Sequence, residues 1–285
     1  MTWTTTRNLA DFEAAAGAFL RSRPAAHSVL LSVTSSLRSL GADAYGAAAP
    51  AFGWWRRRSG RDPVGAAFVW TPPRTALLSP MPEEAAGELV ETLAAQRLDV
   101  PGVNAGRAVA EAVAGAWQRR HGGTVTTGER LRLYRLDELI EPSPAPPGAA
   151  RRARPADRDL LLDWFTAFAT EIGDPPPRDG RAVDARIAGG RCLLWETDGR
   201  PVSMAGHTPP LCGAARVAPV YTPPGLRGRG YAGAVTAAVS HAVRALGTQE
   251  LLLFADLANP TSNALYQRLG YRPVEDHLVL EFGRE

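Results

Sequence analysis

The residues best suited to chemistry are Arg227-Gly228-Arg229-Gly230-Tyr231-Ala232, which follow an apolar run, Ala214 to Tyr221, and open an amphipathic stretch, Ala232 to Leu246. A glycine-rich turn between a strand and a helix brings successive backbone N–H groups to the positive end of the helix dipole, a cradle that holds phosphate or pyrophosphate. Gly228 and Gly230 let the backbone approach such a ligand, and Ala232 keeps the first helical turn small. An Arg/Gly string of this kind also serves as an ordinary loop and helix cap, so its context carries the meaning.

A second string supplies that context. After the apolar run Leu251 to Ala255 the chain reads Asp256-Leu257-Ala258-Asn259-Pro260-Thr261-Ser262-Asn263-Ala264-Leu265-Tyr266-Gln267-Arg268-Leu269-Gly270-Tyr271. Asn259 fits an N-cap, Pro260 the first helical position and Gly270 the C-terminal stop, so a short helix starts just beyond a strand.

These two strings resemble the GNAT acetyltransferase family. Arg227-x-x-Gly230-x-Ala232 is similar to its acyl-CoA pyrophosphate loop, and Asn259, Ser262, Tyr266 and Gly270-Tyr271 match its second segment in kind and spacing. The likeness covers residues 151–283. Pro219-Val220-Tyr221-Thr222-Pro223-Pro224 and the string from Asp256 to Asn263 are similar, more closely, to a bacterial two-domain branch. The resemblance implies an α/β (α+β) protein of tandem GNAT-like domains, each a mixed, mostly antiparallel sheet flanked by helices. It further implies a parallel strand pair that splays apart, acetyl-CoA as cosubstrate, and direct attack of an amine on the thioester.

On that footing Val217, Val220, Tyr221, Arg227 to Ala232, Asn259 and Ser262 are the expected cofactor contacts. The tetrahedral oxyanion needs N–H donors, expected near Val220, since Pro219 has no N–H. Tyr266 falls on the family's general-acid position, and a phenol with a pKa near 10 stays protonated at neutral pH. The alternative for Tyr266 is packing beside Leu265 and Leu269. His207, at a strand end, is the candidate base. Glu171 and Asp256 are further candidates, and Ala214 to Val220 lacks the acidic residue many such enzymes carry there. Phe168 and Glu171, on the first helix of the C-terminal half, are the expected acceptor contacts, near Trp164.

The elements that must position these groups are readable in outline. Leu160, Leu161, Trp164, Phe168 and Ile172 recur at helical spacing over 157–172. A short helix follows at 183–188 after Pro175-Pro176-Pro177, then strands at 191–196, 202–207 and 214–221, the cradle helix, a strand at 250–256, the capped helix and a strand at 277–282. The densest breaker cluster, Glu141-Pro142-Ser143-Pro144-Ala145-Pro146-Pro147-Gly148, predicts a domain boundary: 1–141, a linker 142–153, and a catalytic domain 154–285. Across it, Arg61-Asp62-Pro63-Val64-Gly65-Ala66-Ala67-Phe68-Val69-Trp70-Thr71-Pro72-Pro73 parallels Gly199-Arg200-Pro201-Val202-Ser203-Met204-Ala205-Gly206-His207-Thr208-Pro209-Pro210. The N-terminal half then supplies a strand at 75–79 and a helix to Gln96, but its helix opens on Pro82-Glu83-Glu84, whose charges repel a pyrophosphate. That half reads as a degenerate GNAT-like domain. Trp54, Trp55 and Trp70 belong to its core or to a substrate cleft.

Composition narrows the classes. The chain of 285 residues has room for two domains and a formal net charge of +3, and all of its basic side chains are arginine. Arg56-Arg57-Arg58 and Arg151-Arg152-x-Arg154 read as solvated loop charges, so nucleic acid is not an expected partner. Cys192 and Cys212 lack metal-ligand spacing, so neither a metal nor a disulfide is expected. Met1 to Arg23 has no secretory pattern and no run reaches membrane-helix length, which points to a cytoplasmic protein without a membrane partner. The reading is an acetyl-CoA-dependent N-acetyltransferase acting on a small-molecule or peptide amine, with no prediction of oligomeric state. Two alternatives stand beside it: a non-catalytic acyl-CoA sensor or partner-binding module, and a tandem enzyme acting on a thiol-cofactor precursor or aminoacyl substrate.

Overall fold

A computed structural model describes residues 2–57, 62–176 and 179–283; Arg58, Arg61 and Pro177 lie outside the described residues. The chain divides into two units, the first comprising Met1–Leu133, Asp256–Ala258 and Val274–Glu285. Its sheet runs antiparallel through β1 (Thr2–Thr6), β2 (Ala51–Arg56), β3 (Val64–Trp70) and β4 (Ala76–Leu78), then adds β5 (Gly102–Gly106) parallel to β4. Successive strand residues point to opposite faces. Phe52, Trp54, Ala67 and Val69 pack with α1 (Leu9–Ser22) and α2 (Ser28–Leu40), while Trp55, Ala66, Phe68 and Trp70 pack with α3 (Glu83–Ala95) and α4 (Arg107–His121). The three tryptophans Trp54, Trp55 and Trp70 are therefore core. β6 (Thr124–Leu136) follows.

The second unit comprises Tyr134–Ala255 and Asn259–Pro273. Its strands β7 (Ala149–Arg152), β8 (Cys192–Thr197), β9 (Arg200–His207) and β10 (Ala214–Tyr221) are antiparallel, and β11 (Glu250–Asp256) is parallel to β10. One face packs Leu194, Met204 and Tyr221 against Leu161, Trp164 and Phe165 of α5 (Arg158–Glu171) and Val183 of α6 (Arg181–Ala188). The other packs Ala205, Val217, Leu251 and Leu253 against Val235 and Val239 of α7 (Tyr231–Arg244) and Tyr266 of α8 (Pro260–Arg268). The chain ends in β12 (Tyr271–Gly283), whose residues His277 to Glu281 pair antiparallel with β5. Each unit is thus a mixed, mostly antiparallel sheet flanked by helices.

The boundaries differ from those predicted from the proline cluster. Within the expected linker 142–153, Ala149 to Arg152 are strand and pair in full register with Glu196 to Leu193 of β8. Gly148 makes this possible, with φ +108 and so little room that a Cβ would lie 2.2 Å from the Glu196 carbonyl oxygen. Trp195 Nε1 donates to Pro147 O at 2.9 Å, anchoring the same segment. Val274–Glu285, expected in the catalytic domain, belongs to the first unit because its apolar side chains Leu278 and Leu280 enter that core. Prolines mark where a helix or strand must stop. They do not mark where a hydrophobic core ends.

Candidate active site

The cradle forms as its residues require. After β10 a single 3-10 turn, Pro224–Leu226, leads to Gly228 and Gly230 at φ +77 and +82, a backbone region open to glycine and strained for other residues. Gly230 is the N-cap of α7, no side chain caps the helix, and no acidic residue lies in its first turn. The first N–H groups of a helix have no intrahelical acceptor; here the Ala234 N–H, donating to Gly230 O at 3.1 Å, begins the ladder. A Cβ at Gly228 would have nothing within 4 Å. The helix start therefore combines bare donors, a positive dipole end and open space beside Gly228.

Beside it the parallel pair separates. β10 and β11 are in register only from Ala214↔Glu250 to Arg216↔Leu252. On the other edge β10 pairs with β9 through Val217↔His207 and Val220↔Ala205, with a bulge between. His207 N–H donates to Arg191 O at 3.0 Å, so that residue's backbone faces β8 and its partner Val217 faces away from β9. Ala205, two residues along the same strand, repeats the orientation. The backbone N–H of Val220 is consequently turned toward the side from which β11 has departed.

Arg227, half exposed, folds back onto its neighbours. Its Nη2 lies 2.6 and 2.7 Å from the two carboxylate oxygens of Glu171, its Nε donates to Thr222 O at 2.8 Å, and its guanidinium sits 5.8 Å from the Tyr221 ring centre. Glu171, expected at the acceptor, is thus joined to the cradle. Phe168 is half-buried on α5 against the core that holds Trp164 and Tyr221, whose rings lie 6.1 Å apart. Arg229 reaches back to Gly225 O at 3.3 Å.

The capped helix is fixed by a network. Asn259 Oδ1 accepts from the Ser262 N–H at 3.0 Å, and Asn263 Nδ2 donates to Asn259 O at 2.7 Å. Tyr134, fully buried, donates to Asn263 Oδ1 at 2.7 Å and accepts from Gln267 Nε2 at 3.3 Å. Sequence reasoning missed Tyr134: nothing local signals a partner so far along the chain. Asp256 accepts from the Ala258 N–H at 2.9 Å, which is the turn-closing role.

Tyr266 and His207 have different surroundings. The Tyr266 ring packs edge-on to Tyr271 at 6.1 Å among Leu269 and Val235, and its hydroxyl has no hydrogen-bond partner among the described residues. Burial pushes its pKa up to about 12, so the phenol keeps its proton across the neutral range. His207 is also buried, with Nδ1 at 2.9 Å from Thr208 O, so that nitrogen carries the hydrogen and Nε2 the lone pair. Burial holds its pKa below the usual 6.5, and the nearby Arg191, Arg186 and Arg152 act in the same direction. Since Tyr221 pairs with Met204 and Val217 with His207, His207 lies about 10 Å along β9 from the cradle end. No hydrogen bond joins it to Tyr266 among the described residues. Among those residues no group of His, Cys, Asp and Glu is arranged to hold a metal, and no helix is long and apolar enough to cross a membrane.

Comparison with known proteins agrees with this geometry. Solved structures similar over nearly the whole chain include a GNAT-family acetyltransferase from Colwellia psychrerythraea (12% identity, TM-score 0.62, all of both chains). A Drosophila protein (15%, 0.69, 99% of this chain and 98% of that one) and a GCN5-related N-acetyltransferase from Sphaerobacter thermophilus (17%, 0.66, 99% and 96%) are also similar. At these identities the likeness is one of fold, and it extends through both units. None of the curated proteins matches in sequence. Residues 158–271, which span α5 to α8 and contain the cradle, match the acetyltransferase (GNAT) family, a likeness that supports acyl-CoA-dependent acetyl transfer in general.

Proposed function

We propose that the protein is a cytoplasmic N-acetyltransferase that uses acetyl-CoA and transfers the acetyl group to the amine of a small molecule or peptide. The observation that carries this reading is the combination, within one unit, of an uncapped glycine-rich helix start and a parallel pair that parts just beyond Arg216 and Leu252. Gly228, Gly230 and the first N–H groups of α7 would bind the pyrophosphate, with Asn259 and Ser262 fixing the start of α8 along the pantetheine arm. A thioester presents an activated acyl carbon; amine attack forms the C–N bond and expels the sulfur. The Val220 N–H would stabilise the developing oxyanion. Tyr266 holds its proton at Oη and donates to the departing sulfur. His207 has the neutral state a base requires, and its distance along β9 makes its action a relayed one, through water. Phe168 and Trp164 would line the acceptor side.

A second reading, an acyl-CoA-binding module without turnover, is favoured by one observation: among the described residues no hydrogen bond connects His207 with Tyr266. Calorimetric titration of acetyl-CoA into the wild type and an Arg227→Glu/Gly230→Glu variant tests the common part. Micromolar binding that the variant loses supports the cradle, whereas wild-type protein that binds nothing removes both readings. Thiol release against a panel of amines then separates them: turnover with any amine excludes the sensor.

A further inference from the structure

The contact between Glu171 and Arg227 has the wrong sign for a polyanion site. A carboxylate next to a loop that receives a pyrophosphate raises the local negative potential and should weaken binding. Yet Glu171 ends α5, and both its oxygens are engaged by the first residue of the cradle, at 2.6 and 2.7 Å. The same guanidinium donates to Thr222 O at 2.8 Å just past the end of β10 and lies over the Tyr221 ring. Helix α5, the end of β10 and the entrance of the loop are thereby joined through one side chain. Arginine's planar fork can make these contacts simultaneously, which lysine cannot.

The pair is roughly half exposed, with side-chain accessibilities of 48% and 42%, so as an isolated bridge it contributes little to global stability. Its position gives it another effect. The segment that follows contains two glycines at positive φ, and such a segment loses more backbone freedom on ordering than any other kind. Whatever orders it before the ligand arrives strengthens binding by that amount.

We propose that Glu171 is a positioning residue of the acyl-CoA site: by holding Arg227 it pre-orders the cradle, and its carboxylate therefore strengthens the binding of a polyanionic cosubstrate. The inference rests on the acyl-CoA reading above and moves Glu171 from the acceptor's contacts to the cradle's. Three roles of Glu171 predict three signs. A mere nearby charge predicts tighter binding when it is neutralised; an acceptor contact predicts unchanged cosubstrate affinity; a positioning residue predicts weaker binding.

The test is calorimetric titration of CoA, which needs no acceptor, into wild type, Glu171→Gln, Arg227→Gln and the double variant. We expect Glu171→Gln to weaken binding about three- to tenfold. Arg227→Gln should do the same, and the double variant should be no weaker than the worse single, because both changes remove one contact. Glu171→Asp, which keeps the charge on a shorter arm, should recover part of the loss and serves if the Gln variant does not fold. Equal or tighter binding by Glu171→Gln, or losses that add in the double variant, overturns the proposal. Gly230→Glu separates the two levels. A wild type that does not bind CoA overturns this inference along with the reading it rests on; a wild type whose binding is lost in Gly230→Glu but kept in Glu171→Gln overturns this inference alone.

Discussion

The starts of α3 and α7 occupy corresponding places in the two units, each following a strand that is parallel to the next strand along the chain. Ala76 and Leu77 of β4 pair with Val103 and Asn104 of β5, as Ala214 to Arg216 of β10 pair with Glu250 to Leu252 of β11. Both helices present the same positive dipole end. At α3 the N-cap is Pro82 in extended conformation, Glu83 and Glu84 fill the first turn, and Glu84 is paired with Arg57 at 2.9 Å. At α7 the N-cap is Gly230 in the left-handed region and the first turn holds no acid. One helix start satisfies its own field and the other leaves it without an acidic side chain. The difference lies in the few residues between strand and helix, and the topology is indifferent to it.

The largest effect should come from making the two starts alike. Gly230→Glu imposes a side chain at φ +82 and a charge at the positive end of α7. About 1–2 kcal/mol of backbone strain plus like-charge repulsion should weaken acetyl-CoA binding by about a hundredfold. The converse change, Glu84→Ala at α3, should leave affinity within about twofold and create no second binding event, because the glycine turn is still missing there. Calorimetric stoichiometry reads both. Two sites in the Glu84→Ala protein, or normal binding by Gly230→Glu, would break the comparison.

Of similar size is the effect of Tyr266→Phe, which removes a hydroxyl with no hydrogen-bond partner among the described residues and so leaves the fold undisturbed. It should lower kcat about ten- to a thousandfold at unchanged acetyl-CoA affinity. Steady-state kinetics with any amine that turns over, beside a binding titration, checks this; unaltered kcat would return Tyr266 to plain core packing. Tyr134→Phe should act on stability instead. Its hydroxyl is buried against Asn263 Oδ1, and leaving that acceptor unpaired should cost about 1–3 kcal/mol, read as a lower denaturation midpoint for the second unit.

The strands and helices of the second unit were legible where composition changes abruptly. Ala214–Tyr221 and Glu250–Asp256 are apolar runs bounded by breakers, and Asn259-Pro260 with Gly270 encloses α8 with cap chemistry at both ends. The cradle was legible because positive φ selects glycine. β7 was not: Ala149 to Arg152 show no alternation, since an edge strand with exposed side chains has no buried face to imprint a pattern. The return of Val274–Glu285 to the first unit was equally silent, because an apolar strand fits either core and its partner is a matter of topology. The Glu171–Arg227 pair and the Tyr134–Asn263 bond join residues far apart in the chain, and no local spacing encodes them. His207 was visible as a titratable group, but its place at the far end of β9 depends on register.

The smallest expected effect concerns one buried histidine in each unit. His27 is fully buried with Nδ1 at 3.0 Å from Leu20 O; burial first, and Arg23 besides, holds its pKa below 6.5. His207 is depressed first by burial and then by its three neighbouring arginines. Well above pH 6.5 both are neutral, folded or unfolded, and their contribution to stability is complete. As pH falls below 6.5 the unfolded chain takes up protons that the folded chain refuses, so stability falls until the folded pKa values are reached, with a slope of at most about 1.4 kcal/mol per pH unit for each histidine. Urea midpoints at pH 7 and pH 5 should therefore drop in the wild type, less in His27→Gln and less in His207→Gln. A drop that neither substitution reduces would assign the acid sensitivity to other groups. The two histidines diverge in catalysis. If His207 relays the amine proton, kcat/KM acquires an acid limb below pH 6.5 that His207→Gln removes and His27→Gln retains; if both variants keep the limb, His207 is a structural histidine like its counterpart in the first unit.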